Sequence, residues 1–114
     1  MKASNPIYAA ETGRQIEQLH RLGWYHSIEL PDGTVIPGLQ SIELLQHRLA
    51  QFDLPERMDG LRVLDIGAWD GWFTFEMERR GAEVVAIDLV ENPRFLEARA
   101  ALGSKADYRV MSVY

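Results

Sequence analysis

The stretch from Leu61 to Leu89, LRVLDIGAWDGWFTFEMERRGAEVVAIDL, constrains the fold of this 114-residue chain more than any other. It opens with a short apolar run, Val63, Leu64 and Ile66, of the right length for a buried strand. The chain then turns through Gly67-Ala-Trp-Asp-Gly71 and enters a helical run that stops at Gly81. A second apolar run, Val84 to Ile87, ends on Asp88. Strand, glycine turn, helix and strand ending in an acid is the order in which a doubly wound α/β sheet holds a nucleoside. Gly67 and Gly71 are expected to let the backbone bend sharply and approach a ligand closely, where a Cβ would clash. Asp88, 21 residues after Gly67, is placed to accept hydrogen bonds from ribose hydroxyls.

Spacing and charge bear on which nucleoside. A dinucleotide site uses G-x-G-x-x-G, so that pyrophosphate can sit on a helix N-terminus. Here Trp69 occupies the middle glycine position, Asp70 brings negative charge to the turn, and Asp65 stands two residues before Gly67. Two carboxylates would repel a pyrophosphate. They suit a ligand with no phosphate and a positive end, such as the sulfonium and ammonium of S-adenosylmethionine (SAM).

On these residues the stretch resembles the cofactor-binding motif of class I SAM-dependent methyltransferases. The resemblance implies that Asp65, Gly67, Ala68, Trp69, Asp70 and Gly71 form the glycine-rich motif around the methionine half of SAM. It further implies that Asp88 grips the ribose and Leu89 lies beside the adenine. Trp69 departs from the pattern, since many members carry a small residue there. It either narrows the pocket or packs outward.

The residues before this stretch add to the resemblance. The run W-Y-H-S-I-E-L-P-D-G-T-V-I-P-G, followed by V-L-D-I-G-A-W-D-G-W-F-T-F, is similar to a branch that includes methyltransferase-like proteins of the tRNA wobble-uridine (5-oxyacetic acid) pathway. That likeness implies an N-terminal cap packed over the cofactor pocket. Trp24, Tyr25 and His26 are the cap residues placed nearest the chemistry. Aromatic rings can wall a sulfonium by cation–π attraction, and a histidine can serve as a base near neutral pH. Pattern alone cannot separate a ligand from a core residue, and for His26 packing on the inner face of a hairpin is the favoured reading. Some relatives in that branch use a carboxylated SAM. Ordinary SAM is expected here, since no partner for the extra carboxylate stands out in the sequence.

In chain order, Asn5-Pro6 starts a helix that Gly23 ends, with Ile16, Leu19 and Leu22 on one face. Trp24 to Ile36 reads as a β-hairpin around Pro31-Asp32-Gly33, broken afterwards by Pro37-Gly38. Ser41 caps a second helix with an apolar stripe of Ile42, Leu45, Leu49 and Phe52. Trp72, Phe73, Phe75 and Met77 mark a helix buried between sheet and cap. Asn92-Pro93 starts the next helix, which buries Phe95, Leu96, Ala98 and Leu102 and ends at Gly103. Tyr108 to Tyr114 alternates as a third strand. His20 and His47 read as surface or packing residues.

The fold expected is therefore α/β, with a helix, hairpin and helix cap over residues 1–58. Residues 59–114 form the N-terminal half of a Rossmann-like methyltransferase sheet, strand–helix–strand–helix–strand, in spatial order 3-2-1. This leaves Val63 to Ile66 as an exposed apolar edge of the kind that recruits another strand. The chain is expected to be a truncated piece of a longer methyltransferase, inactive alone, that self-associates through that edge or by exchanging elements.

Composition narrows the function classes. With no cysteine there is neither a disulfide framework nor a thiolate metal site, and no His/Asp/Glu spacing suggests a metal. The net charge of −5, with no basic cluster larger than Arg79-Arg80, lacks the footprint of a nucleic-acid binder. No run approaches membrane-spanning length and no apolar signal region opens the chain, so a cytoplasmic location is expected. The expected partner is a small-molecule methyl acceptor. Alternatives are a tRNA-uridine-modifying methyl- or carboxymethyltransferase and a non-catalytic adenosine-ligand or self-associating module. A dehydrogenase is the remote one.

Overall fold

The computed structural model describes Arg21 and residues 23–114, which form a mixed α/β arrangement with small parallel sheets. The helix expected between Asn5-Pro6 and Gly23 lies outside the described residues, apart from Arg21 and Gly23, and so does His20. Four short strands come first: β1 (Trp24–His26), β2 (Ile28–Glu29), β3 (Val35–Ile36) and β4 (Gly38–Gln40). Helix α1 (Ile42–Ala50) leads to strand β5 (Arg62–Ile66). Helix α2 (Trp72–Arg79), strand β6 (Glu83–Asp88), helix α3 (Pro93–Leu102) and strand β7 (Asp107–Val110) follow.

The main sheet has the order β5-β6-β7, all parallel, with α2 and α3 as its crossovers. The central position falls to β6, the strand with the longest apolar run. Val84, Ala86 and Ile87 are buried there, as expected where a parallel strand is covered on both faces. Strand β5 pairs with β6 alone among the described strands, and its Leu64 and Ile66 are 57% and 60% exposed.

Phe95 anchors the helices to the sheet. It is fully buried on α3, stacks on Tyr108 of β7 with ring centres 4.1 Å apart, and meets Phe75 of α2 at 5.1 Å. Gly71, the N-cap of α2, is left-handed with φ +100°. A Cβ there would come within 2.6 Å of the Phe75 ring and 2.7 Å of the Phe95 ring. Its glycine is thus required by aromatic packing and backbone conformation, where the sequence suggested close approach to a ligand. One buried apolar cluster joins Trp24, Ile28, Ile36 and Leu45 of the first half to Trp72, Met77, Val84 and Phe95 of the second.

The hairpin differs from expectation. Among the described strands only β2 and β3 pair antiparallel, in the register Ile28↔Ile36, whereas β1 pairs parallel with β4, Trp24 against Gly38. Pro37-Gly38 therefore does not break the structure. Gly38 permits the second pairing, because a Cβ on it would lie 2.6 Å from the backbone of His26. Ser27 holds the switch point: its Oγ accepts from Gly38 N at 2.8 Å and donates to Gln40 O at 2.7 Å.

Two boundaries also move. Ser41 caps α1 by accepting from Leu44 N, and Leu45 and Leu49 are buried. Phe52 lies beyond the helix end and is 63% exposed, so it leaves the predicted stripe. Strand β7 stops at Val110 where Tyr114 was expected. Its partner β6 ends at Asp88, the residue paired with Val110, and the last bond runs from Met111 N to Asp88 O.

Candidate functional site

The glycine turn between β5 and α2 is tied to the end of β6. Gly67 N and Ala68 N both donate to Ile87 O, at 2.9 and 3.1 Å, and Trp69 N donates to Asp88 Oδ2 at 3.0 Å. Those bonds hold Trp69 in a left-handed conformation, φ +57°, which no other non-glycine residue among those described adopts. Such strain persists where surrounding structure over-determines it, and it clusters at binding sites. The Trp69 ring is half exposed and stands edge-on to Tyr25, with centres 5.7 Å apart. It lines the pocket beside the turn.

A pocket of about 760 Å³ opens beside this turn. The turn contributes Trp69 and Asp70, the end of β6 and the loop after it contribute Asp88 to Asn92, and the N-terminal strands contribute Trp24, Tyr25 and Leu39. Pro93, Arg94 and Gly23 complete the lining. Leu89 is 70% exposed at the mouth. Of the eight residues predicted to hold a cofactor, Trp69, Asp70, Asp88 and Leu89 line this pocket, while Asp65, Gly67, Ala68 and Gly71 do not.

The three acids differ in role. Among the described residues Asp88 has each oxygen engaged once, Oδ2 by Trp69 N and Oδ1 by Leu89 N at 2.8 Å. Each carboxylate oxygen can accept twice, so lone pairs remain for a ligand. Asp65 accepts from Thr74 Oγ1 at 2.6 Å. Burial pushes its pKa above the usual carboxylate range, the Thr74 bond opposes this, and the charge of Asp88 adds to it. Asp70 is 1% exposed and accepts from the backbone N–H groups of Tyr25, at 2.6 Å, and His26, at 2.9 Å. Its other oxygen accepts from Asn92 Nδ2 at 3.0 Å.

Of the cap candidates, Trp24 and Tyr25 line the pocket and His26 does not. His26 is buried against Phe73 and Tyr25, ring centres 5.8 and 5.3 Å away, and its Nδ1 has no hydrogen-bond partner among the described residues. Desolvation lowers its pKa, with Asp70 opposing and Arg48 adding to the effect. His47 is exposed on α1 and bonds to Gln51. Among the described residues no three His, Cys, Asp or Glu side chains come together as a metal site, and no helix is long and apolar enough to cross a membrane.

Sequence reasoning missed Thr74, Asn92 and Arg94 as parts of the site. Thr74 carried a signal, being the polar residue inside the run W-F-T-F, and it is fully buried. Asn92 was read as a helix cap. It does cap α3, accepting from Arg94 N at 2.9 Å, but the same side chain also reaches Asp70. Arg94 Nε donates to Gly23 O across 71 residues of chain, which no local pattern announces.

No family model matches the chain, and no solved structure matches it. Short stretches do match known proteins. One stretch of 68 residues, 58% of this chain, is 40% identical to the ubiquinone biosynthesis O-methyltransferase of Dechloromonas aromatica. Another of 36 residues, 32% of the chain, is 50% identical to the magnesium-protoporphyrin O-methyltransferase of Rhodobacter capsulatus. This chain is similar to methyltransferases. A third stretch, 38 residues or 33% of the chain, is 47% identical to the biotin biosynthesis bifunctional protein BioHC of Cellvibrio japonicus. The matches span 29%, 16% and 8% of the lengths of these three relatives, in the order given.

Proposed function

We propose that this chain carries the donor site of a SAM-dependent class I methyltransferase, on a Rossmann-like half sheet, within a longer protein. The observation that carries the reading is Asp88. It stands at the C-terminal end of the central parallel strand, oriented by the amide of Trp69 and open to the pocket. Ligands of open α/β sheets bind outside the carboxyl ends of the strands. The pocket's chemistry suits SAM: Asp88 for the ribose hydroxyls, exposed Leu89 beside the adenine, and the Trp69 and Tyr25 rings for a cationic sulfonium. Asp65, half-buried and outside the pocket lining, is proposed as the acid of the methionine side.

When bound, SAM would supply a methyl group that passes from its sulfonium to an acceptor atom, the methyl–sulfur bond breaking to release S-adenosylhomocysteine. The described residues orient the donor and shield it, and alignment of this kind is the main contribution a protein makes to such a transfer. The acceptor is proposed to be a small molecule. Two relatives are named for the O-methylation steps of ubiquinone and magnesium-protoporphyrin, and the net charge of −5 favours such an acceptor over the tRNA of the wobble-uridine branch. The edge strand β5, with exposed Leu64 and Ile66, is proposed as the route by which this chain self-associates.

The test is calorimetric titration of SAM and S-adenosylhomocysteine into the folded chain, with NAD alongside. Saturable binding of the two sulfur ligands, weakened by Asp88→Ala, supports the reading. Binding of NAD in preference would replace it with a dehydrogenase. A folded chain that binds none of them would sink it.

A further inference from the structure

Asp70 is the most completely enclosed carboxylate among the described residues, and all its partners are donors. Oδ2 takes two backbone N–H groups from β1, and Oδ1 takes the amide of Asn92 at the start of α3. Three chain segments far apart in sequence thus meet on one side chain: residues 25–26, the glycine turn, and residue 92. All three contribute to the pocket wall through Tyr25, Asp70 and Asn92. The guanidinium of Arg94 adds a second tie between the same two outer segments, through Gly23 O. Burying a carboxylate is costly unless it is fully hydrogen-bonded. An acceptor-only group is what three converging donors require.

We propose that Asp70 is a positioning residue, setting the width of the pocket by holding β1 and the start of α3 against the glycine turn, and that it does not grip the bound molecule. This rests on the reading of the pocket as an adenosine-cofactor site.

The hydrogen-bond arithmetic supplies a specific test. In Asp70→Asn the new NH2 group must face either the Asn92 amide or the two backbone N–H groups, so one donor–donor conflict is unavoidable. Asn92 cannot relieve it by flipping, because its Oδ1 is engaged by Arg94 N. In Asp70→Asn/Asn92→Asp every group is satisfied again. Asn at 70 accepts from β1 and donates to Asp at 92, whose second oxygen still caps α3. Net charge is unchanged.

The experiment measures S-adenosylhomocysteine affinity by calorimetry and exchange of the Tyr25 and His26 amide protons by NMR, in wild type, Asp70→Asn and the double variant. The expected result is a loss of at least tenfold, about 1.4 kcal/mol, in affinity and in amide protection for Asp70→Asn, with both restored to within threefold in the double variant. If Asp70→Asn does not fold, a folded double variant with native affinity supports the proposal equally. A double variant with protected amides that still binds weakly overturns it, because Asp70 would then act on the ligand itself. Unchanged affinity in folded Asp70→Asn overturns it too. A wild-type chain that fails to bind S-adenosylhomocysteine refutes the cofactor reading instead, and the amide exchange then decides alone whether Asp70 holds the wall.

Discussion

The amide of Trp69 and the carboxylate of Asp88 lie 3.0 Å apart, and this bond couples the strained residue of the glycine turn to the acid at the end of the central strand. It orients Asp88 before any ligand arrives, so little side-chain entropy is lost on binding. A hydrogen bond to a charged acceptor contributes about 1.5–3 kcal/mol. Asp88→Ala is therefore expected to weaken S-adenosylhomocysteine roughly 10- to 100-fold, and Asp88→Asn less. Calorimetry reads the affinity, and an unchanged melting temperature would show that the loss is local. Equal affinity in all three proteins would remove Asp88 from the site.

Asp65 is expected to trade stability for binding. Its pKa is raised above 3.8 by burial, so the folded state holds a proton that the unfolded state has already released. Its contribution to stability is thus present below pH 3.8 and lost as pH rises through the folded value. Asp65→Asn keeps an acceptor for Thr74 and carries no charge. The variant should melt higher at pH 7 and show a shallower decline between acid and neutral pH. Because the proposed reading puts Asp65 on the methionine side of the donor, the same variant is expected to bind S-adenosylhomocysteine more weakly. A lower melting temperature at pH 7 would contradict the account.

His26 should act with the opposite sign. Desolvation lowers its pKa from 6.5, so its contribution is present above pH 6.5 and lost as pH falls from there through the folded value. Its neighbours work against each other, Asp70 raising the value and Arg48 lowering it. His26→Leu, which also removes an Nδ1 that has no partner among the described residues, is expected to flatten the fall in melting temperature as the pH drops below 6.5. An unaltered acid limb would place that pH dependence elsewhere.

How much of this was legible in the sequence follows from the range of each interaction. The strands around Val63–Ile66 and Val84–Ile87, the cap at Asn92 and the stop at Gly103 depend on neighbours a few residues away. The structure has all of them. The pairing of β1 with β4 depends on Gly38 fitting against His26, and the end of β7 on where its partner stops. Neither is a local property. The acids are legible by type and spacing, and Asp88 by its place at a strand end, but sequence groups Asp70 with the residues that hold a ligand. Only the fold delivers three N–H groups to Asp70, from Tyr25, His26 and Asn92, while it leaves Asp88 facing a pocket.

The two glycines of the turn should part company when mutated. Both have positive φ, +74° at Gly67 and +100° at Gly71, and placing an alanine in a left-handed conformation costs roughly 1–2 kcal/mol. A Cβ at Gly67 meets nothing within 4 Å, whereas at Gly71 it overlaps the rings of Phe75 and Phe95. Overpacking adds about 1–3 kcal/mol. Gly71→Ala is expected to lower the urea midpoint markedly more than Gly67→Ala. Equal shifts would mean that the aromatic cluster yields easily.

Among the described strands β5 is paired on one side only, and the proposed self-association through its other side makes a prediction for solution. Parallel sheets are ordinarily covered on both faces, yet Leu64 and Ile66 present apolar surface beside backbone groups that no described strand pairs. Water satisfies those groups less favourably than another strand would, once apolar side chains are buried with it. The native chain is therefore expected to gain mass with concentration in light scattering. Ile66→Lys, at a position already 60% exposed, should leave the melting temperature within a few degrees while shifting the mass toward a single chain, because a lysine on an edge strand opposes pairing. A native mass of one chain at every concentration would dismiss self-association altogether. An oligomer that survives Ile66→Lys would move the contact from the edge to an exchange of elements between chains.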